Sequence, residues 1–100
     1  MRHIFWGIAI FVMTTSFVAI PVFAAGQEAC QEYAHSAVHD FEVGTAPANA
    51  KKCRIKADAR WQPNFKNHYN WCLTAPAAWL RSERKARDDR LLACGARSTL

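Results

Sequence analysis

The apolar positions between residues 28 and 43 repeat at the spacing of an amphipathic helix. An apolar residue recurs every three or four positions, which places the set on one helical face, and the positions between them are polar. Gly44 and Pro47 predict where this helix ends, because glycine favours the position after a helix and proline prevents its continuation. The apolar face consists of Cys30, Tyr33, Ala34, Ala37, Val38 and Phe41, and the polar face of Gln31, Glu32, His35, Ser36, His39 and Asp40.

Helical spacing returns twice in the C-terminal half of the chain. One helix is predicted over residues 63–73 and another over residues 76–94. Thr74 is a candidate cap for the last helix, Pro76 suits its first turn, and Gly95 suits its C-terminal end. The inward sides are formed by Phe65, Tyr69, Cys72 and Leu73 in the first of these helices, and by Trp79, Leu80, Glu83, Ala86, Arg87, Leu91 and Cys94 in the second.

The stretch between these helices and the first one has a weaker pattern. A short helix is predicted within residues 50–61, with Cys53 and Trp61 turned inward and Pro63 at its end. Nowhere do apolar and polar residues alternate for more than three residues, so no strand is predicted. The fold class is therefore all-α, a small bundle of three or four helices.

The N-terminal segment has the features of a secretory signal peptide. A short basic start precedes the apolar stretches 4–12 and 17–25, and Val22 and Ala24 provide a cleavage site at or just after Ala24. Because about 20 apolar residues can span a membrane, an uncleaved membrane anchor is the alternative. The prediction is a signal peptide over residues 1–24 and one helical domain over residues 25–100, located in the periplasm or secreted.

Four cysteines follow this segment and predict two disulfides formed in an oxidising compartment. Their spacing matches neither a redox pair, a haem attachment site nor a zinc finger. With the helices running up, down and up, Cys30 and Cys72 lie at one end of the bundle and Cys53 and Cys94 at the other. A disulfide needs Cα atoms within about 7 Å, whereas a 14-residue helix spans about 21 Å. The predicted pairs are Cys30–Cys72 and Cys53–Cys94.

Charge is divided unequally along the chain. Residues 25–50 carry four acidic side chains and no Lys or Arg, a net charge of −4. Residues 51–100 carry twelve basic and four acidic side chains, a net charge of +8. This asymmetry is compatible with an anionic partner such as a lipid head group, lipopolysaccharide or nucleic acid, and equally with two halves of one bundle facing each other or with a contribution to solubility alone. On the last helix, Glu83 and Arg87 have the i,i+4 spacing of an ion pair.

The sequence lacks the usual signatures of an enzyme. No serine lies in a glycine-rich setting, the cysteines are assigned to disulfides, and no phosphate-binding loop or carboxylate pair is recognisable. We therefore expect a protein without enzymatic activity or cofactor.

The histidines offer the sharpest candidate for metal binding. His35 and His39 are four residues apart on one helical face with Asp40 beside them, a spacing that can chelate Zn²⁺, Cu²⁺ or Ni²⁺. No third ligand is apparent, so two solvated histidines are the simpler interpretation. His68, among aromatic residues, is interpreted as a structural histidine that donates to a carbonyl or carboxylate.

Several aromatic residues could be either core or ligand surface. In so short a chain large aromatics bury much area each, which favours the core, with Trp71 the most outward of them. The alternatives are a stacking platform for a sugar or peptidoglycan fragment, or a grip on single-stranded nucleic acid, which we do not expect. The aromatics concerned are Trp61, Phe65, Tyr69, Trp71 and Trp79; the predicted partner surface consists of Arg60, Lys66, Trp71, Arg81, Arg84 and Lys85.

Three short motifs and a final cysteine recur in a known pattern. They are C-x-x-Y-A-x-x-A-V from Cys30, R-W from Arg60, H-x-x-W-C from His68, and Cys94. The ordered set resembles small exported four-cysteine helical proteins of Gram-negative bacteria, over residues 30–94. That pattern has Cys-Gly where this chain has Cys53-Arg54, so the middle connection differs. The resemblance implies a fold and a compartment but does not indicate an activity.

The sequence thus leads to three functional classes. The first is a non-enzymatic binding or interaction module of the cell envelope, which recognises an anionic envelope component or a protein. The second is a periplasmic metal-binding protein that uses His35 and His39. The third is a structural subunit of an envelope complex. In all three, contact with a membrane is expected only through an uncleaved signal peptide.

Overall fold

The computed structural model describes Gly7 and residues 24–98, and this part of the chain is helical. It contains no β-strand, only an isolated bridge between Ala24 and Pro76, which confirms the all-α fold class. The predicted signal peptide, residues 1–24, lies outside the described residues except at Gly7 and Ala24. Among the residues described, no helix is both long and apolar enough to cross a membrane. The helices are α1 (Gln27–Thr45), α2 (Ala50–Cys53), α3 (Phe65–Thr74) and α4 (Ala77–Ala93).

Two disulfides fasten the helices at opposite ends, and both have the predicted partners. Cys30 in α1 is bonded to Cys72 in α3, with Cα atoms 5.4 Å apart. Cys53 at the end of α2 is bonded to Cys94 just after α4, with Cα atoms 5.0 Å apart. α1 therefore lies against α3, while the segment after α1 is held to the C-terminal end of α4.

The buried face of α1 is broader than predicted. Tyr33 and Ala37 are buried as expected, but Asp40, predicted on the polar face, is only 2% exposed. Asp40 follows Ala37 by three positions and Tyr33 by seven, so it lies on the same face of the helix. The prediction for Asp40 was wrong because a carboxylate was assigned to solvent by its charge rather than by its spacing.

Gly44 lies inside α1 and not after its end, which moves the predicted boundary. The helix continues to Thr45, and Gly44 is buried against the rest of the bundle. A Cβ at this position would lie 2.9 Å from Cγ1 of Ile55 and 3.2 Å from Cδ2 of Leu91. The absent side chain thus lets α1 closely approach Ile55, which follows α2, and Leu91 of α4.

The predicted short helix over 50–61 was correct only for its first turn. α2 ends at Cys53, and Arg54 adopts a left-handed conformation with φ of 47°. Residues 54–64 are irregular because a tight turn replaces the helix: the Asp58 carboxylate accepts hydrogen bonds of 2.8 Å from the amides of Arg60 and Trp61. Trp61 is buried, as predicted.

α3 and α4 begin at residues other than those expected. The Asn64 side chain accepts a hydrogen bond from the amide of Asn67 and so caps α3. Thr74 was predicted to cap α4, but it ends α3, and its hydroxyl donates to the carbonyl of Trp71. α4 follows Pro76, whose backbone occupies the capping position without a side-chain hydrogen bond.

The interior of the bundle contains a buried ion pair as well as apolar side chains. Arg87 of α4 has no exposed surface, and its Nη1 donates a 3.1 Å hydrogen bond to the hydroxyl of Tyr33. Its Nε lies 3.5 Å from Oδ2 of Asp40, an ion-pair contact without hydrogen-bond geometry. The predicted pair of Glu83 with Arg87 is therefore wrong. Arg87 contacts Tyr33 and Asp40 instead, and Glu83 pairs with Arg60.

Candidate functional site

An open groove of about 630 Å³ lies where α1, α3, α4 and the irregular segment meet. It brings together Arg60, His68 and Trp71, which the sequence had placed in two separate motifs. Its lining consists of Tyr33, Asp58, Ala59, Arg60, Gln62, Asn67, His68, Trp71 and Glu83.

Aromatic rings from two helices form the apolar part of this groove. The rings of Tyr33 and Trp71 pack at a centroid distance of 5.4 Å and an angle of 34°. The His68 ring meets Tyr33 edge-on at 6.4 Å. Tyr33 is buried, whereas Trp71 is 36% exposed, as its predicted outward position required. The groove therefore offers a ligand one indole surface, held in place by a buried aromatic ring.

Opposite charges from two elements form the polar side of the groove. Nε and Nη2 of Arg60 donate to the two carboxylate oxygens of Glu83 at 2.7 and 3.0 Å, the bidentate arrangement favoured by guanidinium. The hydrogen bond from Arg60 holds the pKa of Glu83 below its usual value, against the opposing effect of burial. Both groups thus stay charged and their orientation is fixed.

Two amide side chains continue the polar side of the groove. Nδ2 of Asn67 donates a 2.8 Å hydrogen bond to Oε1 of Gln62. The backbone carbonyl of Gln62 accepts a 2.9 Å hydrogen bond from Nε2 of His68. Since a carbonyl can only accept, the neutral imidazole carries its proton on Nε2. This is the structural role predicted for His68.

Burial and charge both oppose protonation of His68. Desolvation lowers its pKa, the positive charge of Arg87 lowers it further, and the hydrogen bond to Gln62 only partly offsets them. The imidazole in the groove is therefore neutral at pH 7.

The stability of the protein should depend on pH through His68. Its folded pKa lies below the unfolded value of 6.5, so the unfolded chain binds the proton more tightly. The free energy of unfolding should fall as the pH drops below 6.5 and level off under the lowered pKa. The contribution of Glu83 is lost only below 4.5, because its pKa is also lowered. Denaturant unfolding between pH 7 and pH 5 measures the effect.

A pair of single variants isolates this effect. His68→Gln should remove most of the slope between pH 7 and pH 5. His39→Gln, at an exposed position of α1, should retain it. An unchanged slope in His68→Gln would assign the pH dependence to another group.

The predicted partner surface is only partly assembled at this groove. Arg60 and Trp71 line it, and the guanidinium of Arg84 lies 5.9 Å from the centre of the Tyr33 ring. The remaining members, Lys66, Arg81 and Lys85, are exposed outside its lining, and Lys85 pairs with Asp89 at 2.6 Å.

The aromatics considered as one platform are dispersed. Trp61 is in the core, and Phe65 and Tyr69 stack on each other half-buried, with ring centroids 6.0 Å apart. Trp79, assigned to the inward side of the last helix, is 58% exposed and does not line the groove. Of the five aromatics, Trp71 alone contributes to the groove lining.

The histidine pair has a different setting from the one predicted. The His35 ring packs on Phe65 with centroids 4.7 Å apart. Asp40 lies in the interior against Arg87 and Arg97 and does not stand beside the two histidines. Over residues 24–98, no three His, Cys, Asp or Glu side chains come together in a group that could hold a metal ion.

Sequence patterns did not reveal most of the polar residues of the groove. Asp58 and Gln62 lie in the irregular segment, where no periodicity indicates which side chains share a surface. Tyr33 and Glu83 were assigned to inward helix faces, and these faces also form the floor of the groove. The W-Q-P-N-F-K-N-H-Y-N-W-C stretch from Trp61 carried one usable signal, a density of amides and aromatics.

Comparison with protein-family models, with curated proteins and with solved structures finds no match for this chain.

Proposed function

We propose that this chain is an exported, non-enzymatic binding module of the cell envelope, and that the groove around Trp71 is its ligand site. The observation that carries the proposal is the partly exposed Trp71 ring, which packs on buried Tyr33 beside the Arg60–Glu83 ion pair. Two disulfides support an oxidising compartment, and the motifs from Cys30 to Cys94 support the resemblance to exported helical proteins of Gram-negative bacteria.

The hydrogen bonds of the groove support binding rather than catalysis. Glu83 is engaged by Arg60, Asp58 by two backbone amides, and His68 by a backbone carbonyl. A general base must be able to reach a proton of the substrate, and each of these groups already has a structural partner. The groove therefore holds polar groups in fixed positions, which is typical of ligand recognition.

The charges of the groove favour an uncharged, hydroxyl-rich ligand. One guanidinium, that of Arg60, faces the two carboxylates of Asp58 and Glu83, so an anion gains little there. Amides and carboxylates offer donors and acceptors in planar arrays, and an indole ring can pack against the apolar face of a sugar. We propose the glycan portion of a peptidoglycan fragment as the ligand class.

Replacing Trp71 tests this proposal. Trp71→Ala should weaken binding of a disaccharide–tetrapeptide muropeptide, and of the uncharged glycan N,N′-diacetylchitobiose, roughly tenfold or more, because the stacking surface is lost. Trp71→Phe should keep part of the affinity. Trp79→Ala is the matched control, since that tryptophan is exposed but lies outside the groove lining. Calorimetry and tryptophan fluorescence measure the affinities. A wild-type protein that binds no muropeptide, or equal losses in Trp71→Ala and Trp79→Ala, would refute the assignment.

A further inference from the structure

We propose that a second groove, on the other side of Arg60, binds a diphosphate-type anion. This basic groove has a volume of about 490 Å³ and lies between the irregular segment and the last turns of α4. A smaller depression of about 220 Å³ shares Arg54 and Arg90 with it and adds Lys52. The basic groove is lined by Arg54, Ile55, Lys56, Asp58, Arg60, Trp61, Ala86 and Arg90. The two grooves share Asp58 and Arg60, but the inference does not rest on the proposed glycan site.

Positive charge in the basic groove is not compensated by its own carboxylate. Its four cationic side chains face a single carboxylate, Asp58, whose Oδ1 accepts from the amides of Arg60 and Trp61. Arg60 is already paired with Glu83. Across the described residues, no carboxylate forms an ion pair with Arg54, Lys56 or Arg90. These three cations are therefore available to a ligand.

The backbone holds two of these cations next to each other. Cys53 is bonded to Cys94, and Nη2 of Arg90 donates a 2.7 Å hydrogen bond to the carbonyl of Cys53. Arg54 follows Cys53 directly in the left-handed region, where side chains other than glycine are disfavoured. A left-handed residue is common at the C-terminal end of a helix, and here it caps α2 and fixes the backbone of Arg54 beside the disulfide.

Interaction with the C-terminal end of α4 explains the positions of only some of the basic side chains in and beside this groove. Lys52 donates to the carbonyl of Gly95 at 3.1 Å and Arg90 lies in the last turn, so both complement the negative end of the helix. The Arg54 and Lys56 side chains make no hydrogen bond within residues 24–98. Like charges that are held together repel one another, and a bound anion would relieve this repulsion.

The shape and the donors of the basic groove define the ligand class. Guanidinium groups match phosphate oxygens in a bidentate manner, and a lysine adds a point charge. A concave groove with three uncompensated cations suits a compact ligand with several negative charges better than a flat bilayer surface. The shared chemistry is a diphosphate group, whether in solution or on a lipid.

Inorganic pyrophosphate is the probe for this site, titrated by calorimetry into the oxidised full-length protein at low ionic strength. The double variant Arg54→Glu/Lys56→Glu should lose affinity at least about tenfold, because two attractive charges become repulsive. Lys66→Glu/Arg81→Glu changes the net charge equally at exposed positions outside the groove lining and should stay within about twofold. Intact disulfides and helical circular dichroism establish folding, and Arg54→Gln/Lys56→Gln replaces the first variant if it misfolds.

A second arm of the experiment distinguishes the two sources of the anion. Co-sedimentation with vesicles containing diacylglycerol pyrophosphate, against vesicles of phosphatidylcholine alone, tests a lipid-borne diphosphate. Loss of pyrophosphate binding in Arg54→Glu/Lys56→Glu supports a soluble ligand. Loss of vesicle binding in the same double variant supports a lipid-linked ligand. The proposal is overturned if wild type binds neither probe, or if both double variants lose affinity equally.

Discussion

Replacing Asp40 by Ala is expected to lower the free energy of unfolding by about 3–5 kcal/mol, because it leaves a buried cation without its counter-charge. Asp40 is 2% exposed and lies between Arg87, which has no exposed surface, and Arg97, whose Nη2 is 2.6 Å from Oδ1. The guanidinium of Arg87 would keep one hydrogen bond, to Tyr33, and would pack on its ring at 4.8 Å. Neither contact replaces a carboxylate.

Guanidinium-induced unfolding of the oxidised protein measures this loss. Asp89→Ala is the control, because Asp89 forms an exposed i,i+4 pair with Lys85 and should contribute less than about 0.5 kcal/mol. The double variant Asp40→Ala/Arg87→Met should recover a large part of the stability, since it removes both buried charges. A loss below about 1 kcal/mol in Asp40→Ala would show that the interior is more hydrated than the packing indicates.

Removing either disulfide is expected to cost about 4 kcal/mol of unfolding free energy by the chain-entropy relation. The two bridges close loops of nearly equal length, with sequence separations of 42 and 41 residues, so their entropic contributions are alike. Because small domains have roughly 5–15 kcal/mol in total, losing both bridges should leave the chain largely unfolded at 37 °C.

The two bridges can be tested separately with paired substitutions. Cys30→Ala/Cys72→Ala and Cys53→Ala/Cys94→Ala each keep one disulfide, and denaturant unfolding of both variants gives the two contributions. Circular dichroism of the fully reduced protein shows whether losing both bridges unfolds the helices. A reduced protein that keeps its helicity and its melting temperature would show that the packing of α1 against α3 and α4 suffices without covalent support.

The disulfide pairing could be predicted from the sequence because it depends only on helix length and on the up, down and up order of the helices. Two cysteines at opposite ends of a helix of four turns cannot approach within bonding distance, whatever the side chains around them do. The buried ion pair had no such signal. Asp40 lies at an inward position by its spacing, but its partner Arg97 is 57 positions away, and no local rule connects the two. Only the assembled bundle shows that the Asp40 carboxylate is neutralised by the guanidinium groups of Arg87 and Arg97.

Both grooves depend on the part of the chain that the sequence described least well. Their shared members, Asp58 and Arg60, belong to the irregular segment 54–64, where a helix had been predicted up to Trp61. The left-handed Arg54 and the turn closed by Asp58 set its path, and both depend on contacts and conformations that periodicity does not encode. The helices could therefore be predicted, whereas the surfaces between them could not.

The two disulfides interleave along the chain, and this order has a consequence for proteolysis. Cys53 lies inside the loop closed by Cys30 and Cys72, so every peptide bond between residues 53 and 72 is enclosed by both bridges. The exposed, irregular residues 56–60, which are the kind of site where proteases cut, fall within this interval. A single nick there would yield a two-chain molecule still joined by two covalent links, with every residue of both grooves retained.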